Sequence, residues 1–270
     1  MTAAPIVAVC TALAAVAAAA LGVLAHMVGL AVPLRVWVVA GIAFDVVLLF
    51  ATFDRRAPLW GRVVTRGRAR TPGVALTFDD GPTEPFTSQI LDVLRGFDAR
   101  ATFFVLGARA VATPAVLKRA LAEGHELANH TWDHQPLPLK SAGAIRGTIR
   151  RTSDAIEAAT GVRPRFFRAP FGWRNPWVNS AARAEGCEAI AWSLGVHDTD
   201  RPGAAIIIAR SIAGLRDGSI LLLHDGRSFD PNPDASQVVA ALPSILREAR
   251  RCGLRTLTMS ELLAEGRERS

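Results

Sequence analysis

The pattern of apolar and polar positions splits the chain into two regimes. Residues 1–34 contain no Asp, Glu, Lys or Arg, and the apolar run over 6–34 exceeds the roughly 20 residues needed to cross a bilayer. After Arg35 a second apolar run, 36–53, is interrupted only by Asp45. Together they predict two transmembrane helices in a tight hairpin turned at Pro33-Leu34-Arg35. A carboxylate inside a span costs about 2.5–3.5 kcal/mol on insertion scales, so Asp45 is expected to face the partner helix. A cleaved signal peptide is the other reading of the first run. It fits poorly, because the segment from Met1 to Pro5 carries no Lys or Arg, and its removal would still leave the second run as an anchor.

From Gly73 onward short β-favouring apolar runs alternate with segments of helical spacing. Strands are predicted over 74–78, 102–106, 126–129, 166–168, 189–194, 219–223 and 255–258. Helices are predicted near 87–95, from Thr113-Pro114, from Ser141 to Gly161, from Asn175-Pro176 to Gly186, over 203–214 and 236–251, and from Ser260-Glu261. Alternation of this kind indicates an α/β protein with a parallel sheet. Asp79-Asp80, His130, His134, Arg168, Asp198 and His224 all fall just past strand ends. A barrel brings such positions to one mouth, whereas an open sheet would leave them spread along an edge. The expectation is therefore a barrel-like fold behind two membrane helices.

Charge changes this picture little. The net charge of +7 owes much to Arg55, Arg56, Arg62, Arg66, Arg68 and Arg70, which follow the second apolar run. They match a juxtamembrane patch against anionic lipid, and with no aromatic-interleaved basic groove nucleic acid is not expected as a partner. Cys10, Cys187 and Cys252 have neither the count nor the spacing of a disulfide framework or zinc knuckle.

The candidate chemistry sits in four stretches. Thr77-Phe78-Asp79-Asp80-Gly81-Pro82 puts adjacent carboxylates where a strand meets a turn, so that one can hold a cation while the other handles a proton. His130 and His134, with three residues between them, join a carboxylate in a two-His, one-Asp set with open positions. That donor set favours Zn²⁺, or another divalent transition metal such as Co²⁺ or Ni²⁺, over Mg²⁺ or Ca²⁺. Arg168, before Ala169-Pro170-Phe171-Gly172, can pair with a carboxylate. His224 ends the apolar run over 220–223, and a pairing with Asp198 would hold its imidazolium ready as a proton donor.

In this order and at these separations, the four motifs resemble the polysaccharide deacetylases of the NodB homology type, carbohydrate esterase family 4, over about residues 72–264. The resemblance implies a distorted (β/α)7 barrel. It implies Asp79 as general base, Asp80, His130 and His134 as metal ligands, and Arg168 as the residue orienting Asp79. It further implies the Phe171 N–H as an oxyanion donor, Leu222 as a wall of the acetyl-methyl pocket, His224 as general acid and Asp198 as its tuning partner. The family often shows Asp-x-x-Asp-Trp after the fifth strand. Here Gly195 and Thr199 replace the first Asp and the Trp, which alters one wall of the substrate groove, and His197 is read as incidental.

The implied organisation is a membrane anchor (1–54), a basic linker (55–71), the deacetylase domain (72–264) and a polar tail (265–270). The implied reaction removes N-acetyl groups from amino sugars of a glycan such as peptidoglycan or chitin-like polymers, with the hairpin in contact with membrane lipid. One alternative is a deacetylase or deformylase of a lipid-linked sugar at the cytoplasmic membrane face. Another is a non-catalytic, membrane-tethered glycan-binding protein. The arginines after the second run place the domain in the cytoplasm by the positive-inside rule, whereas the family's substrates place it outside. A C-terminal reporter fusion separates these: fluorescence of a cytoplasm-dependent reporter is expected if the arginines govern insertion, and activity of an export-dependent reporter would overturn that rule here.

Overall fold

The computed structural model describes residues 4–27, 32–67 and 73–265. Residues 28–31 of the first apolar run, Arg68 and Arg70, and the tail beyond 265 lie outside the described residues. Helices α1 (Ala4–Met27) and α2 (Leu34–Phe53) pack side by side, with most of their Val and Leu side chains exposed. At 1.5 Å per residue they are about 36 and 30 Å long, against a hydrocarbon core of about 30 Å. Asp45 does face the partner helix: its Oδ2 accepts the Thr11 hydroxyl at 3.0 Å.

The remainder is an all-parallel sheet wrapped by helices. Its strands are β1 (Gly73–Asp79), β2 (Thr102–Val105), β3 (Glu126–Asn129), β4 (Phe166–Phe167), β5 (Glu188–Ala189), β6 (Leu194–Gly195), β7 (Ile220–His224) and β8 (Arg255–Leu257). Hydrogen-bonded order runs β5-β4-β3-β2-β1-β7-β6, and β8 pairs with the first half of β1. The predicted strand over 189–194 is thus two short strands at opposite edges of the sheet. The link between them, Ile190 to Ser193, reaches at most about 18 Å from Ala189 to Leu194, so the sheet must curl until its edges nearly meet. The ring is a distorted barrel closed by covalent chain, since no ladder joins β5 to β6 among the described residues. Val64 forms an isolated bridge with Ile190 beside this seam.

The helices are α3 (Phe86–Gly96), α4 (Gly107–Ala112), α5 (Pro114–Ala122), α6 (Ala142–Thr160), α7 (Val178–Ala184), α8 (Ala204–Gly214), α9 (Ser236–Arg251) and α10 (Met259–Glu265). Ser141 caps α6 by accepting the Ala144 N–H, and Gly161 ends it with φ 76°. Thr113 stands before α5 as predicted, but its hydroxyl bonds back to the Arg109 carbonyl instead of capping. The six-residue α4 went unpredicted because it is too short to show a period.

Strand alternation sorts the side chains into two layers. Leu76, Phe78, Phe103, Val105, Leu127, Leu221 and Leu223 pack outward against helices α3, α5 and α9. Ala75, Phe104, Ala128, Phe166 and Ile220 pack inward with Leu257, Met259 and Leu262. The inward series continues upward to Thr77, Asp79, His130, Arg168, Leu222 and His224, so the same period that fills the barrel aims the chemistry at its mouth.

One buried group gives the fold a pH signature. His125, after α5, lies edge-on to Phe103 with both ring nitrogens buried and unpartnered. Burial holds its pKa down at about 4. The unfolded chain binds a proton near pH 6.5 that the folded chain refuses until about pH 4, so stability falls as pH drops through this window. Urea unfolding at several pH values is expected to show a shallower acid loss for His125→Phe than for wild type, and parallel curves would contradict the neutral, buried assignment.

Candidate active site

The β1 end turns sharply at Asp80, whose φ is +75°. Gly81 is required there because a methyl group on it would lie 1.9 Å from Asp225 Oδ2. Asp225 is buried beneath the turn, accepts the Thr87 hydroxyl at 2.6 Å, and is pushed by burial up to about pKa 7. The turn aims both Asp79 and Asp80 into the mouth.

Asp80, His130 and His134 form a buried group whose donor atoms all lie within 4.8 Å of one another. His134 Nε2 is 3.4 Å and His130 Nε2 3.6 Å from Asp80 Oδ1. Donors around a tetrahedral ion with bonds of about 2.1 Å are separated by roughly 3.4 Å, so the spacing suits one ion. Asp80 Oδ1 is buried without a hydrogen-bond partner, while Oδ2 accepts the Ser228 N–H at 3.3 Å. His130 Nδ1–H donates to the Arg168 carbonyl at 2.8 Å, which turns the lone pair of Nε2 toward the cluster. Burial lowers the pKa of His130 to about 3, assisted by His134, and burial also lowers that of His134. Two neutral imidazoles and an orphaned carboxylate oxygen fit a divalent transition metal.

Asp79 stands beside the cluster with Oδ2 3.6 Å from His130 Nε2. Its Oδ1 accepts Arg168 Nη1–H at 2.5 Å, and Arg168 also donates to Thr77 Oγ1 at 3.0 Å and the Ala191 carbonyl at 3.1 Å. Burial raises the Asp79 carboxyl pKa, with the Arg168 charge opposing it. The predicted Arg168–Asp79 pairing is therefore present. Across the mouth, His224 Nδ1–H donates to Asp198 at 3.0 Å, and the His224 backbone N–H reaches the other Asp198 oxygen at 2.8 Å. Burial disfavours the imidazolium, but the charge and hydrogen bond of Asp198, with Asp80 and Asp79, outweigh it and raise the pKa to about 9. Leu222 is buried one inward position below His224. Phe171 has φ +59°, and its N–H meets no protein acceptor among the described residues.

All nine predicted site residues thus converge on one mouth. The sequence reading missed Ser228, which holds Asp80, and the rings around His134. Phe171 lies 4.5 Å and Phe229 5.5 Å from that imidazole, and Trp173 is 4.7 Å from Phe171. Ser228 and Phe229 carry no period or spacing signal, although they follow the His224-Asp225 stretch by only a few residues. Trp192 accounts for Gly195: a methyl group there would lie 2.9 Å from the indole nitrogen. His197 is exposed, outside the cluster.

Residues 66–190 match the family model described as polysaccharide deacetylase. The chain is 42% identical over 195 residues to a chitooligosaccharide deacetylase of Sinorhizobium fredii, covering 68% of this chain and 89% of that one. It is 38% identical over 192 residues to a peptidoglycan-N-acetylglucosamine deacetylase of Bacillus cereus, covering 70% and 87%. Among solved structures, a carbohydrate esterase family 4 pseudoenzyme from Bacillus anthracis superposes with a TM-score of 0.68 at 25% identity, covering 73% of this chain and 67% of that one. The chain belongs to the polysaccharide deacetylase family and is an enzyme of glycan deacetylation.

Proposed function

We propose that this protein is a membrane-anchored, metal-dependent hydrolase that removes N-acetyl groups from N-acetylglucosamine-type residues of a glycan, with Zn²⁺ as the preferred ion. The observation that carries the reading is the buried, unpartnered Asp80 Oδ1 facing two neutral imidazoles, with a second carboxylate, Asp79, beside them. Asp80, His130 and His134 would hold the metal. When bound, it supplies polarisation of the acetamide carbonyl and acidification of a water.

Asp79 Oδ2, the oxygen Arg168 leaves free, removes the proton from the attacking water. Arg168 fixes that carboxylate so that only one oxygen faces the substrate. The Phe171 N–H donates to the oxyanion as the carbonyl becomes tetrahedral. Leu222 borders the acetyl methyl group. His224, held charged by Asp198, protonates the departing nitrogen, so that the C–N bond breaks to leave acetate and a free amino sugar. Helices α1 and α2 serve as the anchor.

With zinc-reloaded protein and N-acetylglucosamine oligomers, Asp79→Asn is expected to keep one metal but lose acetate release by about 10²- to 10⁴-fold. Turnover close to wild type would remove Asp79 from its role. His134→Ala is expected to lose the metal, which elemental analysis reads directly. Because His224 must be protonated to act, kcat/KM is expected to fall as pH rises through about 9. In Asp198→Asn this limb is expected to move toward the ordinary imidazole value of about 6.5, and an unmoved limb would assign it to another group.

A further inference from the structure

The end of α2 is built into the rim of the catalytic mouth. Ala51 and Thr52, its penultimate residues, are buried, and the Arg174 N–H donates to the Thr52 carbonyl at 3.0 Å. The buried Arg174 guanidinium then holds the carbonyls of Ala57 at 2.6 Å and Gly61 at 2.9 Å. Arg55 donates to the Trp192 carbonyl at 2.9 Å and covers its ring. Residues 55–61 therefore give α2 no slack against the barrel.

A chain of ring contacts runs from the span to the cluster. Phe53, the last residue of α2, meets Trp173 at 5.0 Å, Trp173 meets Phe171 at 4.7 Å, and Phe171 meets His134 at 4.5 Å. The donor cluster accordingly lies within roughly 15 Å of the span's end, while the headgroup layer of one leaflet is about 5–8 Å thick. Among the described residues, the exposed aromatics outside α2 are Phe171, Trp177 and Phe229. Phe171 and Phe229 flank His134, and Trp177 follows Asn175, whose amide holds the Leu137, Pro138 and Lys140 carbonyls of the loop after β3. Leu139 on that loop is 52% exposed. Aromatic side chains and arginines gathered beside a span end match the lipid interface.

We propose that the mouth of the barrel seats in the headgroup layer and takes N-acylated amino sugars whose lipid anchor lies in the same membrane. The proposal rests on the deacetylase reading of the site and on α1 and α2 as spans. It gives the rim aromatics a bilayer, in place of a glycan strand, as their contact. A sugar joined to a lipid through a short phosphate linkage stands at the height of the cluster, and its local concentration there is set by the membrane area.

The test uses the full chain, its three cysteines replaced by alanine, in phosphatidylcholine vesicles containing phosphatidylglycerol. Nitroxides are placed at Phe229→Cys and Leu139→Cys on the rim and at Asp98→Cys before β2, at the opposite end of the barrel. Labels at 229 and 139 are expected to be shielded from an aqueous nickel chelate and open to oxygen, with the reverse at 98. Equal nickel accessibility at all three positions overturns the seating and leaves the aromatics as a platform for soluble glycan. In the same vesicles, the zinc-loaded parent is given polyprenyl-phosphate-linked N-acetylglucosamine or a soluble N-acetylglucosamine oligomer at equal total concentration. The lipid-linked sugar is expected to release acetate with a kcat/KM higher by about tenfold or more. Equal or faster release from the oligomer overturns the substrate assignment. Inactivity on both substrates overturns that assignment together with the deacetylase reading, and the label depths still decide the seating.

Discussion

The buried contact between Arg168 and Asp79 organises the molecule. One guanidinium, 1% exposed, holds a carboxylate from β1, the Thr77 hydroxyl below it and the Ala191 carbonyl in the seam. It lies 3.9 Å over the Phe104 ring from β2, while the carbonyl of the same residue sets the His130 tautomer. Two strands, the barrel seam, the Asp79 carboxylate and the His130 ring are thereby fixed by a single side chain and its own backbone. Breaking a buried pair by removing one partner costs about 3–5 kcal/mol, because the other charge stays behind unpaired. The geometry of the donor cluster and the stability of the fold depend here on the same contact.

The inward strand residues show why so much was legible in advance. Ala75, Thr77 and Asp79 alternate inward on β1, and Ile220, Leu222 and His224 do the same on β7, in register with one another. A period of two in the sequence therefore carries both the core and the site, and the motifs mark where each strand stops. What the sequence could not show depends on tertiary neighbours. The run over 189–194 reads as one β-favouring segment, and only the curl of the sheet makes it two edges. Trp192 explains Gly195 only once both are placed, and Ser228 reaches Asp80 from a loop with no period at all. Residues 55–61, expected as a linker, are held by the Arg174 side chain, which nothing in their own composition marks.

Conformational strain is concentrated where the chemistry is. Asp80, Thr131, His134 and Phe171 all have positive φ, a region that costs non-glycine residues of order 1–3 kcal/mol each. Each of these is surrounded by fixed contacts: Asp80 by Ser228, Thr131 by Asn129, and His134 and Phe171 by one another. The surrounding packing holds the donors converged before any ligand arrives. The electrostatics are arranged the same way, with neutral imidazoles at the cluster and a charged one opposite, where Asp198 faces His224.

The seam between β5 and β6 gives the barrel a mechanical character of its own. A fully laddered barrel has a circumference set by its strand count, so a wider mouth would mean losing backbone hydrogen bonds. Here the circumference is interrupted by Ile190 to Ser193, clasped by side chains from Arg168 and Arg55. Such a ring resembles a split collar: at the split, four residues of chain held by Arg168, Arg55 and the backbone of Val64 and Ile220 stand in place of a ladder. The width of the mouth at the split is therefore set by these contacts, whereas the strands leading to Asp79, His130 and His224 are spaced by backbone ladders.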